Sequence, residues 1–152
     1  MANANSSFGL KPVSTIGNTL SGATNQYFIK SDASAMYQGS PVEVELTGGT
    51  AAIITSADGD GKQLLGVFAG AEYVDATTGK LTFKNYWAGS GTANTDFDIK
   101  CFIYDNPFQR FIVASDGTNT DRATAKADIF KTAQLATATA GSTTTGLSNA
   151  TI

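Results

Sequence analysis

The amino-acid sequence predicts a mainly β protein, a single compact β-sandwich or small β-barrel domain with an extended N-terminal arm and a Thr-rich C-terminal tail. Three observations predict it. Short segments alternate apolar and polar residues with a period of two, as half-buried strands do. Glycine beside Asp, Thr or Ser punctuates those segments with turn chemistry. More than half of the chain, 80 of 152 residues, is Ala, Thr, Gly, Ser or Asn, which leaves too few large apolar residues for an architecture of long amphipathic helices. The expected organisation is an arm over 1–25, a β-rich core domain over 26–134 and a low-complexity tail over 135–152.

In the arm, Phe8, Leu10, Val13 and Ile16 are isolated among Asn, Ser, Gly and Thr, a spacing that supports neither helix nor regular strand. Disorder is one reading of such a segment, and apolar anchors in a polar tail also describe an arm that becomes ordered on a partner. From Pro41 to Leu46, Val42, Val44 and Leu46 share one face, and Glu43 and Glu45 share the other. The runs Leu64 to Phe68 and Phe111 to Val113 are continuously apolar, so both are expected as strands buried on two faces. Leu81 and Phe83 oppose Lys80, Thr82 and Lys84, and the loop Asp75 to Lys80 before them reads as a hairpin. The clearest alternation is Asp96 to Ile103, with Phe97, Ile99, Cys101 and Ile103 facing inward and Asp96, Asp98 and Lys100 outward.

Turns are expected at Thr47-Gly48-Gly49, Asp58-Gly59-Asp60-Gly61, Thr78-Gly79, Gly89-Ser90-Gly91 and Asp116-Gly117. One helix is expected, over Asp121 to Lys131, with Thr120 or Asp121 as N-cap and Ala123, Ala127 and Phe130 along one side. Beyond Leu135 the Thr-rich sequence has little to bury before Leu147 and Ile152, and reads as a flexible tail or an extended strand.

Composition excludes several chemistries. The chain has no His, which removes Ser-His-Asp and Cys-His nucleophiles, histidine bases and every His-bearing metal site. Its formal charge is −3, and its cations are scattered, so no basic footprint for nucleic acid is present. The single cysteine, Cys101, lies on an apolar face and is expected to be core. No run approaches the roughly 20 apolar residues of a membrane helix, and the opening MANANSSFGLKP has neither a charged n-region nor an apolar h-region. Synthesis in a reducing host cytoplasm, with no membrane partner, is the expectation.

The remaining chemical candidates are weak. Asp58-Gly59-Asp60-Gly61-Lys62 opens like a calcium loop, but Lys62 takes a ligand position, Gln63 replaces the required Gly and Ala69 replaces the closing Glu. Gly61-Lys62-Gln63 and Gly79-Lys80-Leu81 lack the hydroxyl of a phosphate-binding loop. Asp96 and Asp98, about 7 Å apart on one strand face by strand rise, could serve as a glycosidase pair, although same-face carboxylates usually just keep a face wet. No metal, no cofactor and no catalytic residue is assigned. Tyr86 and Trp87, with Tyr104 and with Arg110 between Phe108 and Phe111, are candidate interface residues, and the aromatics are alternatively a sugar-stacking platform or core. Phe102 and Tyr104 share their face with Asp96, Asp98 and Lys100, so at least one of them is expected to project outward towards a partner.

The order of several short segments resembles a known family. Leu65-Gly66-Val67-Phe68 with Gly70 leads to Tyr73-Val74-Asp75, then Gly79-Lys80, Leu81-Thr82-Phe83 and Asn85-Tyr86-Trp87. Tyr104-Asp105-Asn106-Pro107 with Phe111 and a closing Thr145-Gly146-Leu147-Ser148 follow. These segments and the MANANSSFGLKPV opening are similar to capsid decoration, or cement, proteins of tailed phages of marine and freshwater bacteria. The likeness covers most of 1–113 and the last dozen residues. Asn106 departs from it where an acidic residue is expected, and Thr118 to Ala140 does not align. The resemblance implies a non-enzymatic virion protein on the outer capsid surface, partnered by the major capsid protein and by itself, as a homo-oligomer such as a trimer. Phe8, Leu10, Pro12 and Val13 are then the expected capsid-binding arm. A carbohydrate-binding or host-attachment module of a phage head or tail is the alternative.

Overall fold

The computed structural model describes residues 7–17, 22–45, 50–53, 64–115, 121–133, 135 and 141–152. Its strands are β1 (Lys11–Thr15), β2 (Asn25–Phe28), β3 (Met36–Tyr37), β4 (Pro41–Glu45), β5 (Thr50–Ile53), β6 (Leu64–Val74), β7 (Leu81–Lys84), β8 (Tyr86–Trp87), β9 (Lys100–Tyr104) and β10 (Gln109–Ile112), followed by one short helix, α1 (Arg122–Ala127). The chain is mainly β, as predicted, and its main antiparallel sheet curls into a half-barrel.

That sheet runs β2-β9-β6-β4-β5, with β7 also on β6, and a parallel bridge between Ile29 and Ala51 brings its two ends together. The curl originates in β6, whose eleven residues serve three partners. Its first half pairs with β4, its second half with β7, and its middle with β9. Two register shifts bend it, one at Leu65 against β4 and one at Ala69 against β9. An extra residue in one strand breaks the ladder locally and increases its twist. Gly66 permits a close passage of backbone: a Cβ there would run into the Tyr104 carbonyl oxygen and meet the Ile103 side chain at 2.7 Å. Ile29, Met36, Val42, Phe68, Ala71, Tyr73, Trp87, Cys101 and Ile103 fill the inside of the curl.

The hairpin between β6 and β7 is as predicted. Asp75 accepts from the backbone N–H of Thr77 (3.0 Å) and Thr78 (2.8 Å) and from the Thr78 hydroxyl, and Gly79 supplies a positive φ of 65°. The Thr78 bonds lead the influences that hold the Asp75 carboxyl below its usual range.

Several expectations are corrected. The strand expected from Asp96 begins only at Lys100, because the Asn94 side chain accepts from the Asp96 N–H (3.0 Å) and turns the chain there, leaving Phe97 exposed. Val44 shares the Val42 face but is exposed while Glu43 is buried, since the ladder of β4 with β6 ends at the Glu43–Leu64 pair and leaves Val44 beyond it. β10 is not buried on two faces: it pairs with β1 in a separate two-stranded ribbon whose outer face is exposed. The segment expected to hold no regular strand supplies β1, because Lys11 to Thr15 finds the free edge of β10. The helix has Asp121 as N-cap but only six residues, none buried, and Phe130 beyond it has a φ of 66° and is fully exposed. The turns expected at 47–49, 58–61 and 116–117, like Leu46 and the calcium-loop candidate, lie outside the described residues.

The end of the Thr-rich tail is a built part of the domain. Gln38 donates to the Gly146 carbonyl and accepts from Ser148, both at 2.9 Å, and Ser148 and Ala150 are fully buried. The same short segment holds the N-terminal chain: Leu10 donates to the Gly39 carbonyl (2.9 Å), and Gly39 donates to Phe68 of β6 (2.9 Å).

At the open end of the curl, Asp105 clamps β2 to β9. It accepts from the Tyr27 hydroxyl at 2.5 Å and from the Asn25 amide at 3.0 and 2.9 Å. Burial by itself would raise the Asp105 carboxyl, but the bonds from Tyr27 and Asn25 outweigh it and hold it below the usual range. The bond to Asp105, then burial, raises the Tyr27 phenol.

Two outcomes follow from this arrangement. Gly66→Ala should destabilise the protein by about 1–3 kcal/mol, the range of core overpacking, measured by urea unfolding. The clamp's contribution is complete between the ordinary carboxylate and phenol pKa values. It is lost as pH falls through the depressed Asp105 value and as pH rises through the elevated Tyr27 value. Tyr27→Phe should cost about 1 kcal/mol at neutral pH and flatten the alkaline limb of the urea midpoint against pH.

Candidate functional site

The residues picked out from the sequence divide between the core, one groove and one exposed ribbon. Trp87 is core. It is fully buried, donates from Nε1 to the Ala33 carbonyl at 3.1 Å and meets the Tyr73 ring edge to face at 5.5 Å. Its expected interface role is corrected accordingly, because the strand pair of β3 and β8 turns the indole inward opposite Met36. Tyr86, the next residue on that strand, points the other way, stacks on Tyr37 at 6.2 Å and carries the Lys84 ammonium 5.3 Å from its ring centre. It joins neither the groove nor the ribbon.

The groove lies where both chain ends cross the segment that binds them. Phe8, Leu10, Lys11 and Pro12 from the N-terminal segment, Tyr104 from the end of β9 and Leu147 from the C-terminal segment line it, with Gln38 and Gly39, around a volume of about 390 Å³. Its geometry depends on glycine. Gly9 has a φ of 70°, and a Cβ on it would meet the Gly39 carbonyl oxygen and the Ser148 Cβ, each at 2.8 Å. The two backbones therefore cross in direct contact.

The ribbon of β1 and β10 continues from the groove. Pro12 pairs with Phe111, and Phe111 meets the Tyr104 ring at 6.5 Å, so this face of the ribbon lies on the domain. The opposite face holds the Lys11–Ile112 and Ser14–Arg110 pairs, with Val13 extruded at the register shift between Pro12 and Ser14. Ile16, whose N–H donates to the Phe108 carbonyl at 2.9 Å, and Phe108 extend the patch. Val13, Ile16, Phe108 and Ile112 are all exposed, and the only charges on this ribbon are Lys11 and Arg110.

The structure thus brings Phe8, Leu10, Pro12 and Tyr104 together, places Val13 and Arg110 on the adjoining outer face, and leaves Tyr86 apart. Sequence reasoning missed Leu147, Gln38 and Gly39; nothing in a single sequence links positions more than a hundred residues apart. It also missed Ile112, whose exposure follows from β10 lying at an edge.

Asp96 lies in a turn and Asp98 in the irregular segment before β9, rather than together on one strand face. Among the described residues, no group of three or more Cys, Asp or Glu side chains comes together to hold a metal ion. Cys101 is fully buried on the inner face of β9, and burial pushes its thiol up to about 12. No family model, no curated protein and no solved structure matches the chain.

Cys101 should be silent toward a disulfide reagent such as Ellman's reagent in the native protein at mildly alkaline pH, and should react with one equivalent once urea unfolds the chain. Fast native labelling would mean that the inner face of β9 opens.

Proposed function

We propose that this chain is a virion structural protein that decorates and stabilises a phage capsid by binding the outer surface of capsid subunits, and that it makes or breaks no covalent bond. The observation that carries the reading is the exposed apolar face of the β1–β10 ribbon, rimmed by Lys11 and Arg110 and continuous with the groove at Phe8, Leu10 and Pro12. Contiguous exposed apolar surface rimmed by polar groups marks a protein contact. The ordered segments resembling decoration proteins support the same reading. The major capsid protein is the proposed partner, through a surface that offers apolar side chains and acids to match the two cations.

The mechanism differs in one respect from that of a free arm. Residues 8–15 are already hydrogen-bonded to the domain, through Leu10 to Gly39 and through β1 to β10. Ordering a free segment costs about 1–2 kcal/mol per residue. A ribbon held in place before contact avoids most of that cost, so the apolar surface it covers goes into affinity. The carbohydrate-binding alternative loses its best stacking group, because the Trp87 indole is enclosed in the core.

Heads lacking the protein provide the test, by quantitative rebinding and by the temperature at which the heads rupture. Ile112→Asp and Arg110→Glu change exposed side chains and should leave the thermal midpoint of the isolated protein in place. Each should weaken head binding about tenfold or more, as for a well-placed interface residue. Wild-type binding by both variants would remove the ribbon as the contact, and absence of binding by the wild type would remove the function.

A further inference from the structure

The geometry points to a second interface, on the outer face of the sheet formed by β2, β9, β6 and β7, whose occupant is a second copy of this chain. The proposal rests on the reading above only for the self-association that reading includes; the contact with the capsid is separate and is read by head binding.

The face is defined by register. Directly paired residues of an antiparallel sheet lie on the same side. Phe28 pairs with Lys100, Lys100 with Glu72, and Glu72 with Phe83, so these four side chains form one row across four strands. Inside the row, the Lys100 ammonium and a Glu72 carboxylate oxygen are 3.5 Å apart. In the adjacent row, Phe102 pairs with Gly70, and the Phe83 ring lies 5.8 Å from that of Phe102, over the space a Gly70 Cβ would fill. Leu81 pairs with Val74 on the same side.

The row reads Phe, Lys, Glu, Phe, and this order selects the occupant. A two-fold axis lying in the interface and running parallel to the strands between β6 and β9 reverses the row. Phe28 then faces the partner's Phe83, and Lys100 faces the partner's Glu72, so every position meets its complement twice. An isologous contact requires this self-complementarity. The ribbon of β1 and β10 lacks it, since Lys11 and Arg110 would meet only the same two cations. The two exposed apolar surfaces therefore suit different partners, the ribbon a foreign acidic surface and the sheet face its own copy.

Area agrees. Phe28, Leu81 and Phe83 are 48%, 71% and 64% exposed. With Phe102 they present on the order of 400 Å² of apolar surface, taking about 200 Å² for each aromatic side chain. A standard interface takes about 800 Å² from each partner, a little over half of it apolar. Aligned sheet-on-sheet packing buries such faces.

Sedimentation velocity of the full chain over a concentration series is the test. The wild type should show a reversible monomer–dimer equilibrium. Glu72→Lys and Lys100→Glu should each weaken it about tenfold or more, because like charges then face each other across the axis. Mixing these two variants should restore a one-to-one heterodimer, in which each Lys again faces a Glu across the axis. Within each chain the like charges persist, so a purely internal role of the pair gains nothing from mixing. Leu81→Ser, a change at the most exposed residue of the face, should also weaken the dimer while leaving the thermal midpoint of the dilute monomer unchanged. A wild type that stays monomeric, a trimer, or a mixture of the variants that forms no heterodimer overturns the proposal.

Discussion

The close passage of β6 beneath the end of β9 is the constraint on which the rest of the structure depends. Only a residue without a Cβ lets the chain at Gly66 lie against the Tyr104 carbonyl. The register shifts at Leu65 and Ala69 on either side bend the strand so that it can pair with β4, β9 and β7 in turn. A straight eleven-residue strand would hold a flat sheet. The bent one curls the sheet around Phe68, Tyr73 and Trp87 and brings Ile29 of one end to Ala51 of the other.

Residues 38–40 extend that constraint to the chain ends. Gly39 and Ser40 exchange hydrogen bonds with Phe68 of β6, while the N-terminal segment bonds Gly39 and the C-terminal segment bonds Gln38. Both ends are therefore fixed by backbone hydrogen bonds to a segment that is itself fixed by the central strand. Buried backbone groups must find partners, and here each chain end supplies those of the other's neighbour. The apolar groove is a product of this crossing, and the β1–β10 ribbon is held out from it as a ready-made surface.

Two of the exposed apolar patches, on the β1–β10 ribbon and on the outer face of the sheet, differ in charge. Lys11 and Arg110 accompany one, and the Lys100–Glu72 pair divides the other. Apolar area supplies affinity without choosing a partner, whereas charge arrangement decides which surfaces are compatible. A protein with one surface for a host particle and another for its own copy would need this separation. The sole thiol is enclosed in the core, and Asp75 and Asp105 are engaged in a turn and in a clamp.

The sequence by itself determined the mainly β class, the β6–β7 hairpin with its Asp75 turn, and the inward Cys101 and Ile103. Each is a local matter of period or turn chemistry, readable within a few residues. It misjudged the start of β9, where a single Asn94 side-chain bond outcompetes a good alternating pattern, and it read the chain ends as arm and tail because their partners lie far away in sequence. Phe8, Leu10, Tyr104 and Leu147 meet only once the sheet has curled and residues 38–40 have gathered both ends. Whether Trp87 or Ile112 faces water was likewise decided by tertiary structure, since an edge strand and a covered strand can have the same composition, and burial depends on what lies opposite.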